Sequence, residues 1–362
     1  MFDSIEIKNF KGFHKLKIEN LKQFNLFVGR NESGKTSILE AIFLLINPNN
    51  PRLPININFF RELINIDSKF FKVLFNKENI NQNIVLQAKL VNPNEERKLS
   101  ISSLEKVGEV LKKEIDKKNE NIVFQFSKEG ESERISEIYN IKMFYEHTTD
   151  DGIVRKYNPK MTRDNGNFNF LPDKKYKEKL KGVFVKDTNM MINIFNRLDK
   201  IIVKKKKKEI IEVLKRIEPL IEDIGLGSGN TVYCDIKGFK ELVPINILGM
   251  GIIKILYIVT SIICTEDGIV LIDEIENGLH YRSQEILWST IFKIAHELNV
   301  QIIATTHSYD CLRMYNKQYN KFSPEKDNLR LFRIEKTKEY HEIIAYNNER
   351  LTSSMDFEVE VR

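Results

Sequence analysis

Gly29-Arg30-Asn31-Glu32-Ser33-Gly34-Lys35-Thr36 fits the phosphate-loop pattern G-x-x-x-x-G-K-[ST] without a mismatch. At an average glycine usage of ~7%, a chain of this length would match by accident on the order of once in a hundred. The flanks make accident rarer still. Phe24-Asn25-Leu26-Phe27-Val28 predicts a strand running into Gly29, and Thr36 to Ile46 predicts a buried helix closed by Asn47-Pro48. Glycines let the backbone turn so that successive N–H groups and the helix N-terminus face phosphate oxygens. In such a loop Lys35 reaches the β- and γ-phosphates of ATP, and Thr36 places its hydroxyl on Mg2+. The candidate nucleotide set is Gly29, Arg30, Asn31, Glu32, Ser33, Gly34, Lys35, Thr36 and the adjoining Ser37. The competing explanation is a surface turn with a fortuitous lysine.

Ile269-Val270-Leu271-Ile272-Asp273-Glu274 is the second informative stretch: four apolar residues, then two carboxylates. In open α/β sheets ligands bind at the carboxyl ends of the strands, so both acids arrive where a nucleotide would sit. Asp273 is the expected metal partner beside Thr36, and Glu274 the expected general base for water attacking the γ-phosphate. Read alone, the pair could be a strand entering a solvated turn. Gln301-Ile302-Ile303-Ala304-Thr305-Thr306-His307 is a third strand ending in polar residues. A histidine there can hydrogen-bond the γ-phosphate or hold the attacking water. Taken alone, His307 would be a strand-end histidine satisfied by backbone.

The rest of the chain is read around these points. Ile5 to Phe10 and Leu16 to Ile18 alternate apolar and polar, predicting half-buried strands. Between about Asn49 and Lys240 the pattern is mixed. Ile84-Val85-Leu86 and Ile122-Val123-Phe124 suggest strands, and Ser103 to Lys118 and Lys204 to Ile224 suggest helices. From Leu242 an apolar helix is expected, then a buried strand at Ile269 to Ile272, a helix at Ser283 to Leu298, a strand at Val300 to Ala304, and a strand pair near Leu329 to Ile334 and His341 to Tyr346. Continuous apolar strands imply a parallel sheet covered on both faces. The expected class is therefore α/β, a P-loop head with a mixed sheet flanked by helices. Residues 1–50 and 241–362 form the head, and 51–240 an inserted α/β lobe, part of which completes the head.

The 362 residues are 41% hydrophobic and 30% charged, a globular balance. Net charge is +6, from 57 Lys and Arg against 51 Asp and Glu, which permits contact with nucleic acid without implying it. The run Lys204 to Lys208 is read as a solvated face, with a polyphosphate or nucleic-acid contact as the alternative, and Lys174 to Lys181 would add phosphate contacts if DNA is bound. Cys234, Cys264 and Cys311 lack metal-ligand spacing, and a reducing, cytoplasmic setting is expected. Ile245 to Cys264 is largely apolar, but Asn246 and Lys254 interrupt it, so a buried helix is expected and no membrane span.

With these elements in view, the chain resembles the ABC-like ATPases of the SMC, RecF and OLD group, in particular small AAA-family members. The resemblance lies in Ile5-Glu6-Ile7-Lys8-Asn9-Phe10-Lys11-Gly12-Phe13, in Leu248-Gly249-Met250-Gly251-Ile252-Ile253-Lys254, in Asp273-Glu274-Ile275-Glu276-Asn277-Gly278-Leu279-His280-Tyr281 and in Ala304-Thr305-Thr306-His307-Ser308. It implies a homodimer that closes on ATP, with Gly249, Gly251 and the following helix N-terminus meeting the γ-phosphate held by a second copy. Gly249 stands where the signature usually has serine, Met250 where small members often have an acid, Lys254 where arginine is usual and His280 where aspartate is common. Two glycines that let a helix pack closely are the plainer explanation. Gln82 and Gln87 are both candidates for the family's glutamine loop. Longer OLD members carry a nuclease domain, but the stretch after His307 holds no Asp-x-Asp cluster for a two-metal site. Any nuclease or toxin effector is therefore expected to be a separate protein. The resemblance points to an ATP-driven switch in phage defence or DNA maintenance. The alternatives are a DNA-binding repair clamp whose affinity ATP sets, and a small-molecule kinase, which Asp273, Glu274 and His307 fit less well.

Overall fold

A computed structural model describes residues 1–63, 70–103, 141–164, 167–186, 190–324, 327–337 and 340–356. The first elements are β1 (Phe2–Phe10), β2 (Phe13–Ile18), β3 (Phe24–Val28), α1 (Lys35–Ile46) and α2 (Leu53–Phe59). Seven strands follow: β4 (Ile84–Leu90), β5 (Glu95–Ser103), β6 (Ile141–Thr148), β7 (Val154–Tyr157), β8 (Lys160–Asp164), β9 (Asn167–Leu171) and β10 (Gly182–Val185). Next come α3 (Met190–Val203), α4 (Lys207–Ile217), β11 (Ile221–Leu226), β12 (Val232–Ile236), β13 (Val243–Pro244) and α5 (Met250–Ile263). The chain continues through β14 (Ile269–Ile272), α6 (Tyr281–Glu297), β15 (Gln301–Thr305), α7 (Tyr309–Phe322), β16 (Leu329–Lys336), β17 (His341–Tyr346) and α8 (Asn348–Asp356).

The central sheet has the order β10-β14-β15-β3-β16-β17, parallel throughout except for the β16–β17 hairpin. Its apolar strands alternate between two cores, as the period of two requires. Leu26, Val270, Ile272, Ile302 and Ala304 pack toward the layer of α3, α5, α6 and α7. Phe27, Ile269, Leu271 and Ile303 face the opposite way, toward α1 and a second, antiparallel sheet of order β2-β1-β4-β5-β6-β7. Helix α1 is thus buried between the sheets. Buried Gln301 stitches the layers: its amide accepts from Phe2 N (2.8 Å) and donates to Phe2 O (2.8 Å) and Lys22 O (2.9 Å).

The segment 51–240 supplies β10 to the parallel sheet and β4 to β7 to the antiparallel one. Two expected helices are revised. Lys204 to Ile224 is not one helix: Lys205 (φ 59°) breaks the chain between α3 and α4, and after Pro219 the backbone becomes β11. The apolar helix expected from Leu242 starts at Met250, because Ile245–Leu248 is a 3-10 turn and Gly249 takes φ 101°. The predicted strand Ile122-Val123-Phe124, and all of the predicted helix Ser103 to Lys118 beyond Ser103, lie outside the described residues; Ser103 itself ends β5. No helix among the described residues is long and apolar enough to cross a membrane.

One buried cation holds the far end of α1. Arg97 Nη1 donates to Leu45 O and Ile46 O, both at 3.0 Å, satisfying helix-end carbonyls where a positive charge also suits the dipole. The same guanidinium pairs with Glu95 (2.6 Å) and Glu178 (2.9 Å). Burial raises the Glu95 carboxyl, but the hydrogen bond from His147 and the charge of Arg97 outweigh it and hold the group at about 2, below its ordinary 4.5. A depressed carboxylate stabilises the fold above pH 4.5 and loses that contribution as pH falls toward 2. The unfolding midpoint should fall across that window, and less steeply in Glu95→Gln. Arg97→Ala leaves two carboxylates without their partner and should cost about 3–5 kcal/mol in urea unfolding. A loss near that of a surface pair, about 0–1 kcal/mol, would show that this network does not anchor α1.

Candidate nucleotide site

Parallel pairing brings the carboxyl ends of β3, β15 and β14 to one edge of the sheet, with β15 in the middle. The residues that follow those three strands are the loop from Gly29, the turn at Thr306 and His307, and Asp273 with Glu274. Gly34 caps α1 with φ 95°, and a Cβ there would collide with the Phe13 ring beneath it. Only glycine satisfies both conditions without strain.

Lys35 is buried, and its Nζ donates to Gly29 O (2.8 Å) and Arg30 O (3.0 Å). Thr36 Oγ1 donates to Asp273 Oδ1 at 3.1 Å, and Thr305 Oγ1 donates to the same oxygen at 2.8 Å. Thr305 Oγ1 in turn accepts from Glu274 N at 2.8 Å. That bond supports Glu274 in a left-handed conformation, φ 45°, uncommon for a residue with a side chain. Asn277 Nδ2 donates to Glu274 Oε2 at 2.8 Å, which steadies a carboxylate otherwise open to solvent.

Burial shifts the two central charges in opposite senses. It raises the Asp273 carboxyl against the hydrogen bonds from Thr305 and Thr36, and lowers Lys35 against the pull of Glu274, Glu276 and Asp273. Beside them Glu40 of α1 is fully buried, accepting from Lys11 (2.7 Å) and Arg61 (2.8 Å and 3.0 Å). Arg61 also donates to Ser37 Oγ at 3.2 Å. His307 is held from behind by Glu276, whose Oε1 accepts from His307 N (2.9 Å) and lies 3.1 Å from Nδ1.

These groups border a cleft of about 450 Å³. Asn31, Glu32, Ser33, Gly34, Lys35, Thr36, Ser37, Glu274 and His307 line it, and Asp273, which does not, is hydrogen-bonded to the lining Thr36. Gly29 and Arg30 contribute the carbonyls that hold Lys35. Gly249 and Gly251 are elsewhere, at the start of α5, where a Cβ on Gly251 would meet Gly278 O at 3.4 Å. Gln82 and Gln87 do not line the cleft. Gly12, Arg61, Lys336 and His341 do, although the sequence reading did not assign them. Gly12 was visible in the opening turn, whereas Arg61, Lys336 and His341 arrive from distant segments without a local signature. Thr305 and Glu276 sat inside quoted motifs, but only their contacts reveal what they hold.

Residues 1–312 match the AAA ATPase domain family. The chain belongs to that family. This ATPase is 27% identical over 342 residues to an ATP/GTP phosphatase of Helicobacter pylori, with 88% of each chain covered. It is 36% identical over 77 residues to the DNA replication and repair protein RecF of Acetivibrio thermocellus, about a fifth of each chain. Its fold is that of an Smc head solved with the C-winged helix domain of ScpA, with a TM-score of 0.52, 12% identity and coverage of 97% and 99%. The expected SMC- and RecF-like ABC-type ATPase head is therefore correct as a class.

Gly34→Ala should disable the family's loop, since a left-handed alanine alone costs about 1–3 kcal/mol and its methyl must displace Phe13. Fluorescent-nucleotide titration should show binding weaker by about fivefold or more, since each ~1.4 kcal/mol is tenfold. Unchanged affinity would mean that the loop is not the binding element.

Proposed function

We propose that this ATPase holds ATP with Mg2+ in the cleft and hydrolyses it slowly, the cycle serving as a switch. The observation that carries the reading is the Thr36 Oγ1 to Asp273 Oδ1 contact at 3.1 Å beside the buried Lys35. Two hard oxygen donors meet there, suited to a small divalent cation that takes its other ligands from phosphate and water. Ser33 Oγ, buried without a protein partner, is a further polar atom at the loop available to phosphate. A metal triphosphate presents negative oxygens to Lys35 and positive charge to Asp273, so it relieves both groups that burial disfavours. When bound, magnesium neutralises charge developing on the phosphate oxygens. Loop amides and Lys35 orient the triphosphate, Glu274 takes a proton from the attacking water, and His307 hydrogen-bonds the γ-phosphate or that water.

We place the switch at a homodimer interface. Ile247, Met250 and Tyr281 are large apolar residues with 70%, 56% and 45% exposure, all beside the Gly249 and Gly251 turn or the Gly278 turn. Such a cluster supports a closed dimer in which that face covers the nucleotide of the other copy. Residues 1–50 and 241–362, with the strands that 51–240 adds, form the head, and a separate nuclease or toxin would read its state.

Lys35→Ala should abolish ATP binding in calorimetry. Glu274→Gln should bind ATP as wild type while turnover falls ~10²–10⁴-fold, and should accumulate an ATP-dependent dimer in sizing with light scattering. Normal hydrolysis by Glu274→Gln would remove that residue from its role, and a monomer at all concentrations would remove the dimeric switch.

A second reading, ATP-controlled DNA binding, has support from the partial likeness to RecF and from the exposed turn at Lys204 and Lys205. Duplex retained on filters should then increase with ATP and weaken steeply as salt rises. Retention indifferent to ATP would exclude it.

A further inference from the structure

We propose that Glu276 is the positioning residue for His307, setting which ring nitrogen faces the cleft; this rests on the hydrolytic reading above. The turn after β14 sorts its side chains. Glu274 points out toward the cleft, Ile275 is fully buried, and Glu276 is buried with 7% of its side chain exposed. One oxygen, Oε1, accepts from the His307 backbone N–H at 2.9 Å and lies 3.1 Å from His307 Nδ1. The other, Oε2, is buried without a protein partner. A buried carboxylate is costly unless it is paired, so a capping role alone would be served as well by a neutral side chain.

The Nδ1 contact gives the charge a use. A ring turned so that Nδ1–H donates to Oε1, 3.1 Å away, would carry its neutral lone pair on Nε2. The His307 ring is 46% exposed and borders the cleft with Glu274, so Nε2 is the nitrogen left for water or phosphate. Glu276 touches neither nucleotide nor water in this arrangement and acts only through His307.

Glu276→Gln keeps an acceptor for the backbone N–H, so the turn should survive, but an amide can either accept from Nδ1–H or donate to a bare Nδ1. In ring-nitrogen NMR of the neutral histidine, assigned by its loss in His307→Ala, wild type should show Nδ1–H alone and Glu276→Gln a mixture. Turnover of Glu276→Gln should fall ~10–100-fold, the range for removing a group that orients a site ligand, with KM near wild type. Adding Glu276→Gln to His307→Ala should cause no further loss.

An unchanged ring spectrum in Glu276→Gln, or losses that multiply in the double variant, would overturn the proposal. If His307→Ala alone left turnover intact, the role assigned to His307 would fail, and the ring spectrum would still decide whether Glu276 sets the tautomer.

Discussion

Asp273 and the phosphate loop do not follow neighbouring strands. β15 lies between β14 and β3, so the two strand ends are separated by two strand spacings, about 10 Å. No backbone ladder can join them, and the hydrogen bond from Thr36 Oγ1 to Asp273 Oδ1 does so with side chains. Thr305, on the strand between, supplies the middle of the bridge by donating to Asp273 and accepting from Glu274 N. Three segments far apart in sequence are therefore referenced to one carboxylate oxygen. The parallel direction of β14, β15 and β3 is what makes this possible, because reversing any one strand would send its polar end to the opposite edge.

The second constraint is electrostatic. Asp273 and Lys35 both lie where burial penalises charge, and their shifts run in opposite senses from that single cause. Glu40 shows how the fold treats a carboxylate that it keeps for itself: fully buried, it receives both Lys11 and Arg61. Burial outweighs Glu40 at Lys11, whose amine falls to about 8. Helix α1 is thus fixed at its first turns by charge pairing and at its last carbonyls by Arg97. The loop at its N-terminus is presented by a helix held at both ends, which is the pre-organisation that phosphate recognition requires.

Much of this was legible because the central strands are covered on both faces. Phe24–Val28 and Ile269–Ile272 are unbroken apolar or buried runs, and their bounds follow from composition alone. The polar residues that follow each run then read as strand-end chemistry. Legibility falls where one face is open or the element is short. β5 reads Glu95-Glu96-Arg97-Lys98 before its apolar residues, yet Glu95 and Arg97 are buried because they pair with each other, Arg97 also with Glu178 and Glu95 also with His147. A pattern that scores charge as exposure misses such a strand. β10 has four residues, preceded by a lysine-rich stretch that reads as solvated, and it is recognisable only by its parallel register with Ile269 to Ile272. Arg61, Lys336 and His341 join the cleft through tertiary packing, which local sequence does not encode.

The turn from Asp273 to Gly278 shows why a short motif carries more than its two acids. Ile275 N donates to Thr305 O, which docks the turn on β15, and Ile275 then fills the core. That anchor lets the residues on either side diverge, Glu274 toward the cleft and Glu276 toward the base of His307. Asn277 and Leu279 close the turn by backbone bonds to Glu274 O and Glu276 O. The turn then reaches α5, where a Cβ on Gly251 would touch Gly278 O at 3.4 Å, an ordinary van der Waals contact. One short turn therefore runs from the carboxylate at the cleft to a contact with the helix start that bears exposed Met250.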